Sequence, residues 1–294
     1  RGLGDVYKRQ QVICHFLKQE WQRHFLPDVQ GLGVSVIELD ELERFKSEQK
    51  KHLVQELRSK IPLALSDIEK YVSVLSESSP QIVHCWLDEC NIKGGIAAVA
   101  IGVPRIIIGL RSMPPIHFSL HQPYMREGYR WLVRQPGVAL VCNSKAGASA
   151  YEKWIGLPEG SINVVLNGFV FDESMLKACR QRRAAQRMSL GIKKTDLIIG
   201  TVMRLSEEKR PLLWLEIASK IQARMPNVKF LIVGDGSQRN EIDLFISERG
   251  LAKSVIMMGH QRDPLNFISV MDLFLLTSRV EGLPNVLIEA QALG

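Results

Sequence analysis

Short apolar runs alternate along the chain with longer stretches whose apolar residues recur three or four positions apart. This alternation of strand-like and helix-like patterns predicts an α/β protein with parallel sheets. Val34–Leu39 reads as a short strand. Asp40–Lys60 is charged, with Leu42, Phe45, Leu53 and Leu57 at helical spacing, and predicts a surface helix. Ile68–Leu75 predicts a second helix, Gln81–Leu87 a strand, and Gly94–Ile101 a small-residue helix able to pack closely on a sheet. Val103–Gly109 and Val138–Cys142 read as strands, Lys145–Trp154 as a helix, and Asn163–Leu166 as a short strand ending in Asn167-Gly168.

The pattern then changes. Asp172–Lys194 is basic and helical with no strand, which places a domain junction near residue 170. A second alternating series follows: strand Leu197–Val202, helix Pro211–Arg224, strand Val228–Val233 and helix Arg239–Glu248. Val255–Met258, Leu265–Met271, Leu273–Leu276 and Pro284–Leu293 continue it. No repeat of fixed short period and no low-complexity tract interrupts either series.

Composition narrows the class without naming a function. The 294 residues are 46% hydrophobic and 23% charged, the balance of a water-soluble globular chain of about two domains. A net charge of +7 permits an anionic ligand or membrane surface but does not demand one, and nothing points to a nucleic-acid partner. The five cysteines form no CxxC, which argues against a disulfide framework or zinc ribbon and for a reducing compartment. No apolar run reaches the roughly 18 residues of a membrane span. The expected location is therefore the cytoplasm, with peripheral contact at the inner face of the membrane open. Residues Arg1–Gln10 (RGLGDVYKRQ) resemble translated adaptor sequence and are set aside as a leader.

Three stretches carry candidate chemistry. In Glu281-Gly-Leu-Pro-Asn-Val-Leu-Ile-Glu289, a strand empties into a loop and Pro284 suits the first turn of a helix. The backbone N–H groups near Asn285 and Val286 would then be free to bind phosphate, and Glu289 could accept hydrogen bonds from ribose hydroxyls. In Thr201-Val-Met-Arg204-Leu-Ser-Glu-Glu-Lys209-Arg210, two cations follow a strand and could neutralise a diphosphate without a metal. A solvated basic loop is the plain alternative. Val233-Gly234-Asp235-Gly236 imitates a dinucleotide fingerprint, but Arg239 stands at the third glycine position, which argues against a nicotinamide site.

Together these stretches carry a resemblance. MRLSEEKRP, FLIVGDGSQR, VIMMGHQRD and DLFLLTSRVEGLPNVLIEA stand in the order found in the donor half of the family 4 retaining glycosyltransferases (glycosyl transferases group 1). VPRIIIG, LVCNSKA and VVLNGF match the other half less specifically. The resemblance implies the GT-B fold, two Rossmann-like parallel-sheet domains facing across a cleft. It implies an acceptor-side domain over 11–170 and a nucleotide-sugar domain over 171–294, both incomplete at the chain's ends. Arg204 and Lys209 resemble the pair that holds the donor diphosphate, Glu281 the glutamate beside the transferred sugar, and Glu289 the ribose-binding glutamate. Gly259, His260, Gln261 and Arg262 resemble the base-contacting loop, with Gly234 in the glycine turn before it. Asn167 matches a turn near the domain crossover. Such enzymes take a nucleotide sugar and a sugar or lipid-linked glycan acceptor. They need no cofactor and no metal-binding Asp-x-Asp motif, and none is present here.

The sequence also departs from the family. Where many members place a histidine after the strand matching Val103–Gly109, Arg111-Ser112 stands instead. His84 is a substitute candidate beside Arg111, with a core-packed histidine as the competing reading. The family's glycine-rich first loop is not recognisable and its last strand is missing, so the first strand is expected to be absent and the chain as it stands inactive. His117 and His121 have the spacing of a helical metal pair without a third ligand. Arg126, Arg130 and Arg134 recur every four residues beside Tyr124 and Trp131, as a lipid-facing or a solvated face. A sugar-nucleotide epimerase and a non-catalytic nucleotide-sugar-binding domain remain the alternatives to a sugar transferase acting in cell-surface polysaccharide or glycan synthesis.

Overall fold

The computed structural model describes residues 10–14, 23, 26–41, 55, 68–118, 121–169 and 172–294. Leader residues 1–9, most of the helix expected over Asp40–Lys60, and residues 170–171 at the expected junction lie outside them. The chain divides into two compact units. One comprises Arg1–Arg111, Gln122–Cys142 and Ala148–Val164, and the other Ser112–His121, Asn143–Gly147 and Val165–Gly294.

In the first unit, strands β1 (Gln11–Cys14) and β2 (Ser35–Glu38) form a parallel pair. A separate four-stranded parallel sheet has the order β3 (Ile82–Trp86), β4 (Arg105–Leu110), β5 (Val138–Cys142), β6 (Asn163–Val164). The short helix α1 (Leu26–Gly31) leads into β2, and α2 (Ile68–Ser78), α3 (Asp88–Ala100), α4 (Tyr124–Leu132) and α5 (Lys145–Ile155) accompany the sheet. β4 is the apolar run RIIIGL, and its Ile106 and Ile108 are fully buried with Ile92, Ile96 and Leu132 of the helices. The small-residue stretch fits closely, as expected. A Cβ on Gly95 would lie 2.9 Å from Ile108 Cδ1, so any larger residue there would have to displace the Ile108 side chain.

Strand β1 was not among the strands expected from the sequence. Gln-Val-Ile-Cys pairs in register with Ser-Val-Ile-Glu of β2, and Ile13 and Ile37 pack against the unit's core. Four residues flanked by a discarded leader gave too short a run to recognise. The basic face of α4 is largely exposed, and two of its arginines also have backbone partners. Arg126 Nε donates to the carbonyl of Trp154 at 2.6 Å and Arg130 Nε to that of Ile155 at 2.9 Å. Arg126 and Arg130 thereby satisfy carbonyls that the end of α5 leaves unpaired.

In the second unit the parallel sheet has the order β10 (Leu273–Phe274), β7 (Leu197–Val202), β8 (Val228–Val233), β9 (Val255–Met257). All of β8 except Lys229 is buried, as befits a strand covered on both faces. Helices α6 (Glu173–Ser189), α7 (Pro211–Gln222), α8 (Arg239–Glu248), α9 (Leu265–Ile268) and α10 (Asn285–Leu293) complete it. The basic helix α6 starts at Asp172, whose carboxylate caps Ser174 N at 2.9 Å. Its arginines then brace the unit. Arg180 donates to the carbonyls of Ala292 and Leu293 at the end of α10. Arg183 donates to Met271 O and Arg187 to Val270 O.

The brace closes on one carboxylate. Asp272 pairs with Arg183 at 2.5 Å and Arg187 at 3.1 Å, and accepts from the backbone N–H of Ile198 at 2.8 Å. Replacing Asp272 by alanine leaves two guanidinium groups and a strand-end amide short of an acceptor. Chemical denaturation of the Asp272→Ala chain is expected to show a loss of about 1–3 kcal/mol. A change within about 0.5 kcal/mol, the range of ordinary surface substitutions, would refute the brace.

Candidate functional site

The carboxyl ends of β7, β8 and β9 are tied together by backbone hydrogen bonds beyond the strands. Met203 N donates to Val233 O at 3.0 Å, Leu205 N to Asp235 O at 3.0 Å, and Gly234 N to Gly259 O at 2.8 Å. Gly234 has φ 135, and a Cβ there would lie 1.9 Å from Met203 O. The glycine turn therefore serves close approach of two loops, which accounts for a fingerprint-like motif without a dinucleotide. This edge of an open parallel sheet is where such folds bind ligands. It carries Gly259, His260, Gln261 and Arg262, with Gln261 Nε2 donating to Met258 O at 2.8 Å.

The loop after β7 supplies the charges. Arg204 pairs with Glu208, its own side chain remaining 64% exposed. Lys209 Nζ lies 2.5 Å from Glu281 Oε1, with both side chains 24% exposed. Three further contacts latch this loop to the segment leading to Glu281. Arg210 Nε donates to Thr277 O at 2.7 Å, Thr277 Oγ1 to Lys209 O at 3.0 Å, and Arg279 N to Glu208 O at 2.8 Å. Arg210 adopts the left-handed region (φ 51, ψ 55) directly before Pro211. A residue before proline is normally extended, and left-handed backbone costs a non-glycine residue energy, so the corner is held by the latch. Sequence reasoning missed Arg210 and Thr277. The tripeptide Lys-Arg-Pro was the available signal.

Past Glu281, Pro284 is extended (φ −74, ψ 103) and occupies the position before α10, a correction to its expected place in the first turn. The helix begins at Asn285, so the N–H groups of Asn285 and Val286 still lack intrahelical acceptors. Asn167 Nδ2 donates to Asn285 Oδ1 at 2.6 Å, bringing the expected turn residue to this helix start. One turn on, Glu289 is half-buried and its Oε2 has no hydrogen-bond partner. Burial raises its carboxyl pKa above the ordinary value. Ser278 Oγ and Asn167 Oδ1 are likewise buried without partners. Orphaned polar atoms are costly; Ser278 and Glu289 lie in the two segments flanking Glu281, and Asn167 meets the start of α10.

The structure thus joins Lys209 to Glu281 and Asn167 to Asn285, and puts Arg204 in the loop of Lys209. His84 and Arg111 belong to the first unit. His84 is exposed on β3, which overturns the core-packed reading, because β3 is an edge strand of its sheet. Partial burial and the Arg111 charge hold its imidazole below the ordinary pKa. His117 ends a 3-10 turn and Phe118 is extended (φ −106, ψ 145), so His117 and His121 do not share a helix. Among the described residues no three His, Cys, Asp or Glu side chains cluster as metal ligands, and no helix is long and apolar enough to cross a membrane.

Comparison with known proteins bears on family and fold. Residues 182–294 match the family model for glycosyl transferases group 1. The chain is 31% identical over 234 residues to the Vi polysaccharide biosynthesis protein VipC/TviE of Salmonella typhi, covering 79% of this chain and 40% of that one. It is 27% identical over 239 residues to an Escherichia coli UDP-Gal:alpha-D-GlcNAc-diphosphoundecaprenol alpha-1,3-galactosyltransferase, covering 78% and 61%. The chain therefore spans less than two thirds of these relatives. The Anabaena HepE structure, in complex with UDP and glucose, superposes with a TM-score of 0.71 at 18% identity, over 96% of this chain and 70% of HepE. The fold is GT-B.

Glu289 yields a stability test. Its folded pKa is raised above 4.5, so the folded state holds the proton more tightly than the unfolded chain. Stability is then lost as pH rises through the raised pKa. The Glu289→Gln chain is expected to melt above the unaltered chain at pH 7, the gap closing as pH falls toward 4.5. A pH-independent gap, or a less stable variant at pH 7, would contradict the assignment.

Proposed function

We propose that the chain, whose residues 182–294 match the glycosyl transferases group 1 family, moves a sugar from a nucleoside-diphosphate sugar to an acceptor hydroxyl in polysaccharide or glycan synthesis. The observation that carries the reading is the Lys209–Glu281 pair at the carboxyl edge of the second unit's sheet, with unpartnered oxygens on Ser278 and Glu289 in the segments either side of Glu281. A partly exposed ammonium–carboxylate pair is worth about 1 kcal/mol or less. Charge-assisted hydrogen bonds to a diphosphate are worth about 1.5–3 kcal/mol each. A donor diphosphate can therefore draw Lys209 away from Glu281.

In this reading Lys209 and Arg204 take the charge that gathers on the departing nucleoside diphosphate, so no divalent cation is required at that point. The free N–H groups of Asn285 and Val286 add the positive end of α10. Glu289 Oε2 accepts from a ribose hydroxyl, and the backbone of Gly259–Arg262 faces the base. Glu281, released from Lys209, lies beside the transferred sugar, which leaves the donor and reaches the acceptor with retained configuration. The family 4 resemblance supports retention and metal independence.

Titration with UDP tests the assignment. Lys209→Ala is expected to weaken UDP binding about tenfold or more, the loss of one charge-assisted contact. Glu281→Gln is expected to bind UDP more tightly, because the competing carboxylate is gone, while slowing sugar transfer. Unchanged UDP binding in Lys209→Ala would return the segment to an ordinary basic loop.

A further inference from the structure

We propose that Trp86 and Leu87, with His84 and Arg111, form a binding site for a sugar ring on the first unit, serving the acceptor in the transfer proposed above and resting on that reading. The site is assembled at the carboxyl ends of two adjacent parallel strands. Register pairs Trp86 of β3 with Gly109 of β4, and His84 lies two residues earlier on the same face. The His84 and Trp86 rings meet edge-on at 5.2 Å, and the Arg111 guanidinium stands 4.7 Å from the Trp86 centroid. Gly109 leaves room for them. A Cβ there would lie 3.1 Å from His84 Nε2 and 3.3 Å from Trp86 Cδ1.

A lone exposed tryptophan would mean little. The backbone beside it means more. Leu87 has φ 72 and ψ 147, a conformation that glycine adopts freely and leucine does not. Its side chain is 67% exposed, so the strain serves no packing in the core. The residues that follow hold the strain in place. Asp88 Oδ1 accepts from Tyr129 OH at 2.7 Å and Tyr151 OH at 2.6 Å. Asn91 Nδ2 donates to Gly109 O at 3.0 Å and Tyr129 OH at 3.1 Å, while its N–H donates to Leu87 O at 2.7 Å. The corner is thus fixed from beneath by a buried polar network and presents an indole, half exposed, together with an isobutyl group.

That surface is amphipathic. Trp86 and Leu87 offer apolar contact, Arg111 donates hydrogen bonds, and a neutral His84 both donates and accepts. A pyranose has the matching form, with C–H bonds on its faces and hydroxyls around its edge. A nucleobase could also stack on the indole, so UDP provides the discriminating arm of the test.

The experiment is saturation-transfer NMR of the chain with the methyl glycosides of glucose, galactose and N-acetylglucosamine, with UDP binding measured in parallel. At least one glycoside is expected to receive saturation at its ring C–H protons. Trp86→Ala should bind that glycoside about tenfold more weakly, the loss of one aromatic contact, with UDP affinity unchanged. Leu87→Gly should melt no lower than the unaltered chain, because the strain is relieved, yet bind the glycoside more weakly. If Trp86→Ala does not fold, Leu87→Gly decides the matter by the same comparison. No saturation of any glycoside, equal saturation in the variants, or weakened UDP binding in Trp86→Ala would overturn the proposal. Failure of the unaltered chain to bind UDP would instead count against the donor assignment and leave the glycoside result standing.

Discussion

The ammonium of Lys209 rests 2.5 Å from the carboxylate of Glu281, and much of the second unit's local structure exists to hold those two groups together. Lys209 sits in a tight turn whose far side, Arg210, takes a left-handed backbone and is tied to Thr277 in both directions. Glu281 stands between that latch and the start of α10. An ion pair so placed neutralises the edge of the sheet without making it a closed core. Its net worth is small, so a more highly charged ligand can replace either partner. Neighbouring atoms point the same way. Glu289 Oε2, Ser278 Oγ and Asn167 Oδ1 are buried without partners, a cost that a bound ligand would offset.

The pair depends on a rigid platform. Arg180 of α6 bonds to the end of α10, Arg183 and Arg187 bond to the segment after α9, and Asp272 joins the latter two to the start of β7. The helix that carries Glu289 is thereby fixed at its far end, while the Asn167–Asn285 contact fixes its beginning. Charges that must meet a diphosphate in one geometry gain from such anchoring, since small misplacements at a reacting centre are costly.

The sheets were legible because parallel strands covered on both faces read as continuous apolar runs, as in Arg105–Leu110 and Val228–Val233. The candidate residues of the second unit stood out because strand, cationic loop and glutamate follow in a fixed order, and the structure brings Lys209 into contact with Glu281. Other features depend on neighbours that are distant in sequence. Whether Arg126 finds a carbonyl is decided by where α5 ends, and whether His84 is buried is decided by which strand lies at the sheet's edge. The left-handed Arg210 and Leu87 defy local preference, since neither residue type favours that backbone, and only the surrounding hydrogen bonds explain them. Strand Gln11–Cys14 was too short to stand out from its flanks.

The account turns on Lys209 exchanging a carboxylate for a phosphate. A crystal structure of the chain soaked with UDP would observe the exchange directly. The account predicts Lys209 Nζ within hydrogen-bond reach of a diphosphate oxygen, Glu281 released, and Glu289 Oε2 accepting from a ribose hydroxyl. UDP bound at another place with the Lys209–Glu281 pair intact would contradict it.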